Sequence, residues 1–345
     1  MKPVYSIFIE GGDSFGYREA NGFPYYQHLN LPLTMRTFVR AFVRTFAIFV
    51  KKARRLAILM PAAALLAACD KNRNTDADEI PDPTEGLTKV RDFQIGRYTV
   101  SAYNETGELR LGYTKLYFAV ADASGKFIDS AALSAFPEMD MGMMKHSTPR
   151  SEITKVPDKA LYETYYAFLM YSGQGNGKWY YDLKLTVGSV TDSISDVEID
   201  VKNVFRPDGK TERRVIQSVS ADTSADASGK RYVVTLVEPV APKVGSNDVS
   251  AYIHERKDAN TYIPVERFAL KLDPRMPSME NHSSPNNADL TWSADEQRYK
   301  GTVNFSMTGY WKLNLILQNE HGATLYGNPV SGEVEASSLY FEVEF

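Results

Sequence analysis

The chain of 345 residues has one cysteine, Cys69, so it cannot close an internal disulfide. No apolar run is long enough to span a bilayer: the most continuous, residues 56–68, has 13 residues where a spanning helix needs about 20. Beyond residue 68 a clustered basic footprint is also missing, which argues against a nucleic-acid partner. The nucleophile elbow Gly-x-Ser-x-Gly, the zinc-protease His-Glu-x-x-His and the phosphate loop Gly-x-x-x-x-Gly-Lys-Ser/Thr do not occur, and no enzyme is expected. The glycines of residues 173–177 precede no helix and do not read as a phosphate cradle. Glu138 and Asp140 flank Met139, but two acids in one loop are more often solvated than set for acid–base work. No long helical period competes with the strand patterns described below.

The setting of Cys69 is informative. Lys51-Lys52-Ala53-Arg54-Arg55 is a basic region, residues 56–68 are apolar, and Leu66-Ala67-Ala68-Cys69 carries the small residues of a cleavage site. This resembles a bacterial lipobox. The resemblance implies cleavage before Cys69 and acylation of its thiol and of the new amino terminus, enough acyl chains for stable anchoring. Lipidation would consume the only thiol and with it any cysteine nucleophile. Residues 1–68 therefore read as a lipoprotein signal segment, over-extended at its start since Met35 makes the better beginning, and 69–86 as a lipidated tether, polar and punctuated by Pro81 and Pro83. Of 39 basic and 43 acidic residues, nine and three precede Cys69, leaving 30 against 40, a net charge of −10. The expected location is the cell envelope, periplasmic or surface-exposed, with the lipid bilayer as first partner.

Beyond the tether, short runs alternate apolar and polar residues, as in Tyr98-Thr99-Val100-Ser101-Ala102-Tyr103 and Val197-Glu198-Ile199-Asp200-Val201, with turn residues between them. Period-two alternation indicates half-buried strands. The order of features then repeats. Tyr98 and Tyr165 are 67 residues apart, as are Tyr232 and Tyr299, and each pair brackets Met-x-x-His-Ser-x-Pro. A repeat of this length governs the fold, and the expectation is all-β: two tandem immunoglobulin-like β-sandwiches, residues 87–205 and 210–345, joined at the turn-rich Arg206-Pro207-Asp208-Gly209-Lys210. Trp179 and Trp311 are expected in the two cores, Met307 in a core strand, and His254 and His321 at the surface.

In the second copy, Met276-Pro277-Ser278-Met279 is followed by Tyr299-Lys300-Gly301 and by Met307-Thr308-Gly309-Tyr310-Trp311. This resembles the YtkA-like and FixH-like family, which implies a small immunoglobulin-like sandwich on the outer side of a bacterial membrane and an association with copper or other cation handling. The first copy departs from the pattern: it lacks Met-Pro-x-Met, has Ala167 in place of the glycine of Tyr-x-Gly, and carries an insertion at 173–178.

The candidate ligands are Met276, Met279 and His282 in the second copy and Met139, Met141, Met143, Met144 and His146 in the first. Thioether and imidazole together suit Cu(I), whereas carboxylates favour Ca or Mg. The function expected is an anchored envelope lipoprotein that binds copper or a related soft ion, or hands it to a metal-handling envelope protein. The alternative is a non-catalytic adhesion or scaffold module in which the methionines plug the sandwich ends, since Met fills irregular gaps well.

Overall fold

The strand patterns of the sequence become strands, and among the described residues no α-helix occurs. The computed structural model describes residues 5–10, 14–19, 82–206, 209–213, 216–221 and 229–345. Tyr5–Glu10 pairs antiparallel with Ser14–Glu19; Cys69, the rest of the expected signal segment and the tether up to residue 81 lie outside the described residues.

Residues 87–205 form seven principal strands: β1 (Thr88–Ile95), β2 (Tyr98–Asn104), β3 (Gly112–Ala121), β4 (Ala131–Asp140), β5 (Tyr162–Phe168), β6 (Lys178–Val187) and β7 (Val190–Ile199). One sheet runs β1-β2-β3-β5 and ends on Thr154–Lys155; the other runs β7-β6-β4 and ends on Lys145–His146. Their inward residues make one core, with Val100, Phe118 and Phe168 from the first sheet meeting Trp179, Tyr181 and Leu183 from the second. The alternation explains this layer, because every second residue of a strand faces the same side.

The second lobe has β8 (Ile216–Ser220), β9 (Arg231–Glu238), β10 (Gly245–Arg256), β11 (Ala269–Met276), β12 (Ala288–Ser293), β13 (Arg298–Phe305), β14 (Tyr310–Gln318) and β15 (Leu339–Glu344). Its order, β8-β9-β10-β13 and then β11-β14 with β15 on β14, follows that of the first lobe strand for strand. One strand differs. β12 pairs with both β13 and β11 and joins the two layers into a continuous sheet, whereas Thr154–Lys155 of the first lobe pairs with β5 alone.

Two phenols fix the layers at matching places. Tyr162 Oη accepts from Ala131 N at 2.7 Å and donates to Ile128 O at 3.4 Å; Tyr299 Oη accepts from Phe268 N at 3.2 Å and donates to Val265 O at 2.7 Å. The tyrosine at the place of Tyr299 is therefore Tyr162, not Tyr165 as the 67-residue spacing suggests. The insertion in the first lobe falls after this tyrosine, and the equal spacing of Tyr165 is a coincidence.

Tyr165 has another task. Its ring stacks on Tyr252 of the second lobe, centroids 4.3 Å apart at 17°, and its Oη lies 3.1 Å from His254 Nε2. His254, expected at the surface, is fully buried, because the outer face of β3 and β5 is covered by β9 and β10. His321 is exposed, as expected. Ser147 N donates to Ala259 O at 2.9 Å and Tyr262 Oη to Ser147 O at 3.3 Å, so the lobes also meet beside His146.

Burial lowers the His254 pKa from 6.5 to about 4, and its Nδ1 has no hydrogen-bond partner. A depressed folded value means that the unfolded chain binds the proton more readily, so this stability is complete above pH 6.5 and lost as the pH falls toward 4. We expect a loss of up to about 3 kcal/mol across that window. Denaturant unfolding of wild type and His254→Gln at pH 7.5, 6 and 4.5 checks it: the pH slope of the variant should be flatter.

Candidate functional site: two methionine–histidine hairpins

Each of the repeated Met–His stretches folds as the end of a strand turning back on itself. In the first lobe Met139 stands opposite His146, and in the second Met276 stands opposite His282. The second turn is a 3-10 turn, Pro277–Met279, with Pro at its start, where a missing N–H costs nothing. Glu280 and Asn281 then adopt positive φ, 52° and 57°, and bring the chain back so that His282 meets Met276.

The methionine nearest each strand is core. Met139 and Met276 are 0% and 2% exposed. Each fills the space beside a glycine two residues before the core tryptophan. A Cβ on Gly309 would lie 2.8 Å from Met276 Cε, and one on Gly177 would overlap Met139 Cε and lie 3.2 Å from its Sδ. Both tryptophans are fully buried and bonded through the indole, Trp179 Nε1 to Met170 O at 2.9 Å and Trp311 Nε1 to Met307 O at 3.1 Å. Met307, expected in the core, instead exposes 37% of its surface and contributes its carbonyl.

The other candidate ligands separate. Met279 is half exposed and His282 is exposed, so the second hairpin does not gather its buried Met276 with them into one environment. In the first hairpin Met143 and Met144 are solvent-exposed, and Lys145 pairs with Glu138 at 2.9 Å and Asp140 at 3.6 Å, so these two acids are ion-paired at the surface. Met141 turns inward. A Cβ on Gly175 would meet Met141 Cε at 2.8 Å and Met170 Cε at 3.9 Å, and one on Gly177 would meet Met141 Cγ at 3.2 Å. Three methionines, Met139, Met141 and Met170, thus lie under the turn at 173–177. Sequence reasoning left Met170 out because it belongs to a different strand end.

His146 completes this side. It is largely buried, its ring edge-on to Trp179 at 5.5 Å, and burial lowers its pKa. Its Nδ1 is 2.9 Å from Ser147 O, a carbonyl that can only accept, so Nδ1 carries the proton and Nε2 keeps its lone pair. Ordering of one imidazole nitrogen by a carbonyl is the usual preparation of a metal-binding histidine. The His146 loop lies against the second lobe and is thereby covered. His282 is exposed. Among the described residues no three of His, Cys, Asp and Glu converge in a way that would hold a metal ion.

A second repeated pattern underlies the hairpins: Ala132-Leu133-x-x-x-Pro137-x-Met139 and Ala269-Leu270-x-x-x-Pro274-x-Met276 are the same motif on β4 and β11. The strands share their register as well, Leu133 opposite Leu185 and Leu270 opposite Leu317. The family pattern Tyr-x-Gly is Tyr299-Lys300-Gly301 in the second lobe and Tyr162-Glu163-Thr164 in the first. Thr164, rather than Ala167, therefore stands where the second lobe has glycine.

The architecture is all-β, with two like-ordered lobes. Residues 226–315, from just before β9 into β14, match the family model described as YtkA-like. No curated protein and no solved structure matches the chain.

Truncating the core methionine should be felt and truncating the exposed one should not. Met139→Ala should lower stability by about 2–5 kcal/mol, while Met143→Ala should stay within about 0.5 kcal/mol. Urea titrations followed by tryptophan fluorescence distinguish them.

Proposed function

We propose that this protein is a non-catalytic binding module, built by duplication of one unit and held at a bacterial membrane by acylated Cys69. The observation that carries the module reading is the buried Met139 and Met276, each packed beside the glycine that precedes a core tryptophan. A residue used in this way twice is a requirement of the fold. Met143 and Met279, each three residues before the histidine of its hairpin, are both exposed and take no part in this packing. Duplication is supported by the common strand order, the shared Ala-Leu-x-x-x-Pro-x-Met motif and the two phenols bonded alike. Anchoring rests on the lipobox-like sequence before Cys69, and the acidic remainder agrees with an exposed, soluble body.

A second reading is favoured by the gathering of Met139, Met141 and Met170 under the glycine turn, with His146 holding a free Nε2 lone pair. Such a donor set suits Cu(I). Met139, Met141 and Met170 would offer sulfur and His146 nitrogen, and the first lobe rather than the second would carry or hand on the ion. Bound copper would supply a soft acid exchangeable with a metal-handling partner of the envelope.

Metabolic labelling with a radioactive fatty acid should mark the full chain and leave Cys69→Ser unmarked; equal labelling, or none, removes the anchor. Anaerobic titration with cuprous ion against a competing chelator should show binding tighter than about micromolar, about −8 kcal/mol. That binding should be lost in Met141→Leu with Met170→Leu and weakened in His146→Gln. If wild type and variants titrate alike, the copper reading falls and the structural role of the methionines stands.

A further inference from the structure

The seam between the two layers is closed in the second lobe and open in the first, and the difference is chemical. β12 crosses from β13 to β11 in the second lobe because Gly301 has no side chain: a Cβ there would sit 2.6 Å from Ala288 O and 2.9 Å from Asp289 O. Thr164 stands at that place in the first lobe. Its Oγ1 donates to Ser151 O at 3.0 Å and lies 3.0 Å from Ser151 Oγ, while Ser151 N donates to Tyr165 O at 3.1 Å. The chain at 150–155 is thus held against β5 and does not cross to β4.

The edge of β4 is left with unanswered groups. Residues alternate in the side of the strand to which they turn their backbone N–H and C=O. Ala131, Ala135 and Pro137 turn theirs to the seam, where Tyr162 Oη takes Ala131 N, Tyr166 Oη donates to Ala135 O at 3.1 Å and Ser147 Oγ to Pro137 O at 2.6 Å. Leu133 N, Leu133 O and Ala135 N have no partner among the described residues. Their counterparts in the second lobe are met. Leu270 pairs with Leu290 of β12 and is fully buried, and Leu272 N donates to Asp289 Oδ1 at 2.9 Å, with Lys271 Nζ on the same carboxylate at 2.9 Å. Leu133, at the place of Leu270, is only partly buried.

The open seam is a cleft of about 490 Å³, lined by Leu133, Ala135, Arg150, Ile153 and, from the second lobe, Thr261 and Tyr262. Arg150 is the cation of this cleft. It lies 4.5 Å over the Phe136 ring and donates to Ser147 Oγ at 3.0 Å and Thr148 O at 3.4 Å, and among the described residues no carboxylate pairs with it. Glu152, at the sequence place of Asp289, is exposed.

We infer that this seam binds an extended acidic peptide, which adds as a strand to the free edge of β4 with an apolar side chain over Leu133 and a carboxylate on Arg150 and Ala135 N. Such strand addition takes affinity from main-chain bonds and specificity from alternate side chains. The partner is thus a protein segment of extended, acid-bearing sequence. The inference deepens the binding-module reading and is independent of anchoring and of copper, so the full-length Cys69→Ser chain, kept in mild detergent, serves for the test.

The first probe is a fluorescent nine-residue peptide with the sequence of residues 286–294, the strand that fills the second lobe's seam; a display library of random nine-residue peptides is the second. Binding of the first probe near the micromolar range, or library enrichment of sequences alternating apolar residues with one acid, is expected. Replacing the acid by its amide, or Arg150→Gln in the protein, should weaken binding about tenfold, the worth of one charge-assisted hydrogen bond. Ala135→Pro, which removes the N–H at an edge where proline is tolerated, should abolish it. Bound peptide should slow amide exchange at Leu133 and Ala135. The inference is overturned if neither probe binds, if affinity ignores the acid and Arg150, or if those two amides already exchange slowly without peptide because residues 151–153 close the seam themselves.

Discussion

The contact on which both lobes depend is a methionine methyl packed against a glycine that stands two residues before a tryptophan. Met139 against Gly177 and Met276 against Gly309 bring the end of one strand onto its neighbour, and a side chain at either glycine would displace the thioether methyl from the place it fills. Interiors are packed as densely as organic crystals, so such a contact sets where the strand must end. The hairpin beyond the methionine follows from that end. The Met–His repeat is therefore first a feature of packing, and whatever chemistry it carries is added to it.

Docking of the lobes breaks the symmetry of the repeat. The second lobe lies on the outer face of β3 and β5, stacking Tyr252 on Tyr165 and enclosing His254. The same contact covers the loop after His146, through Ser147, while His282 stays in solvent. Two hairpins of like register thus have unlike histidines. One is desolvated and ordered by a carbonyl; the other is not. A further asymmetry comes from one side chain, Thr164 against Gly301, which decides whether the layers are joined by the chain's own strand. A lobe completed by its own strand has no free edge at that seam, and a lobe without it presents a strand edge, a feature that proteins otherwise protect.

Much of the architecture was legible in the sequence. Alternation marked the strands because the side-chain period of a strand is local, and Trp179 and Trp311 announced the cores. The family pattern around Met276, Tyr299 and Trp311 falls within the residues that match the YtkA-like model. What misled was spacing. Counting 67 residues paired Tyr165 with Tyr299, although Tyr162 makes the equivalent bonds, and the glycine of Tyr-x-Gly was sought at Ala167 instead of Thr164. The Ala-Leu-x-x-x-Pro-x-Met motif, present twice, would have given the right alignment.

By itself the sequence determined the all-β class, the repeated order of strands and the identity of the core aromatics, because these follow from periodicity and residue type along a short stretch of chain. Only the tertiary structure decided which sulfurs are core and which face water, that Met170 joins Met139 and Met141, that Met307 is exposed, and that His254 is buried. Those outcomes depend on strands paired over long separations and on one lobe lying against the other. Burial is a property of the assembled layers, and no local pattern encodes it.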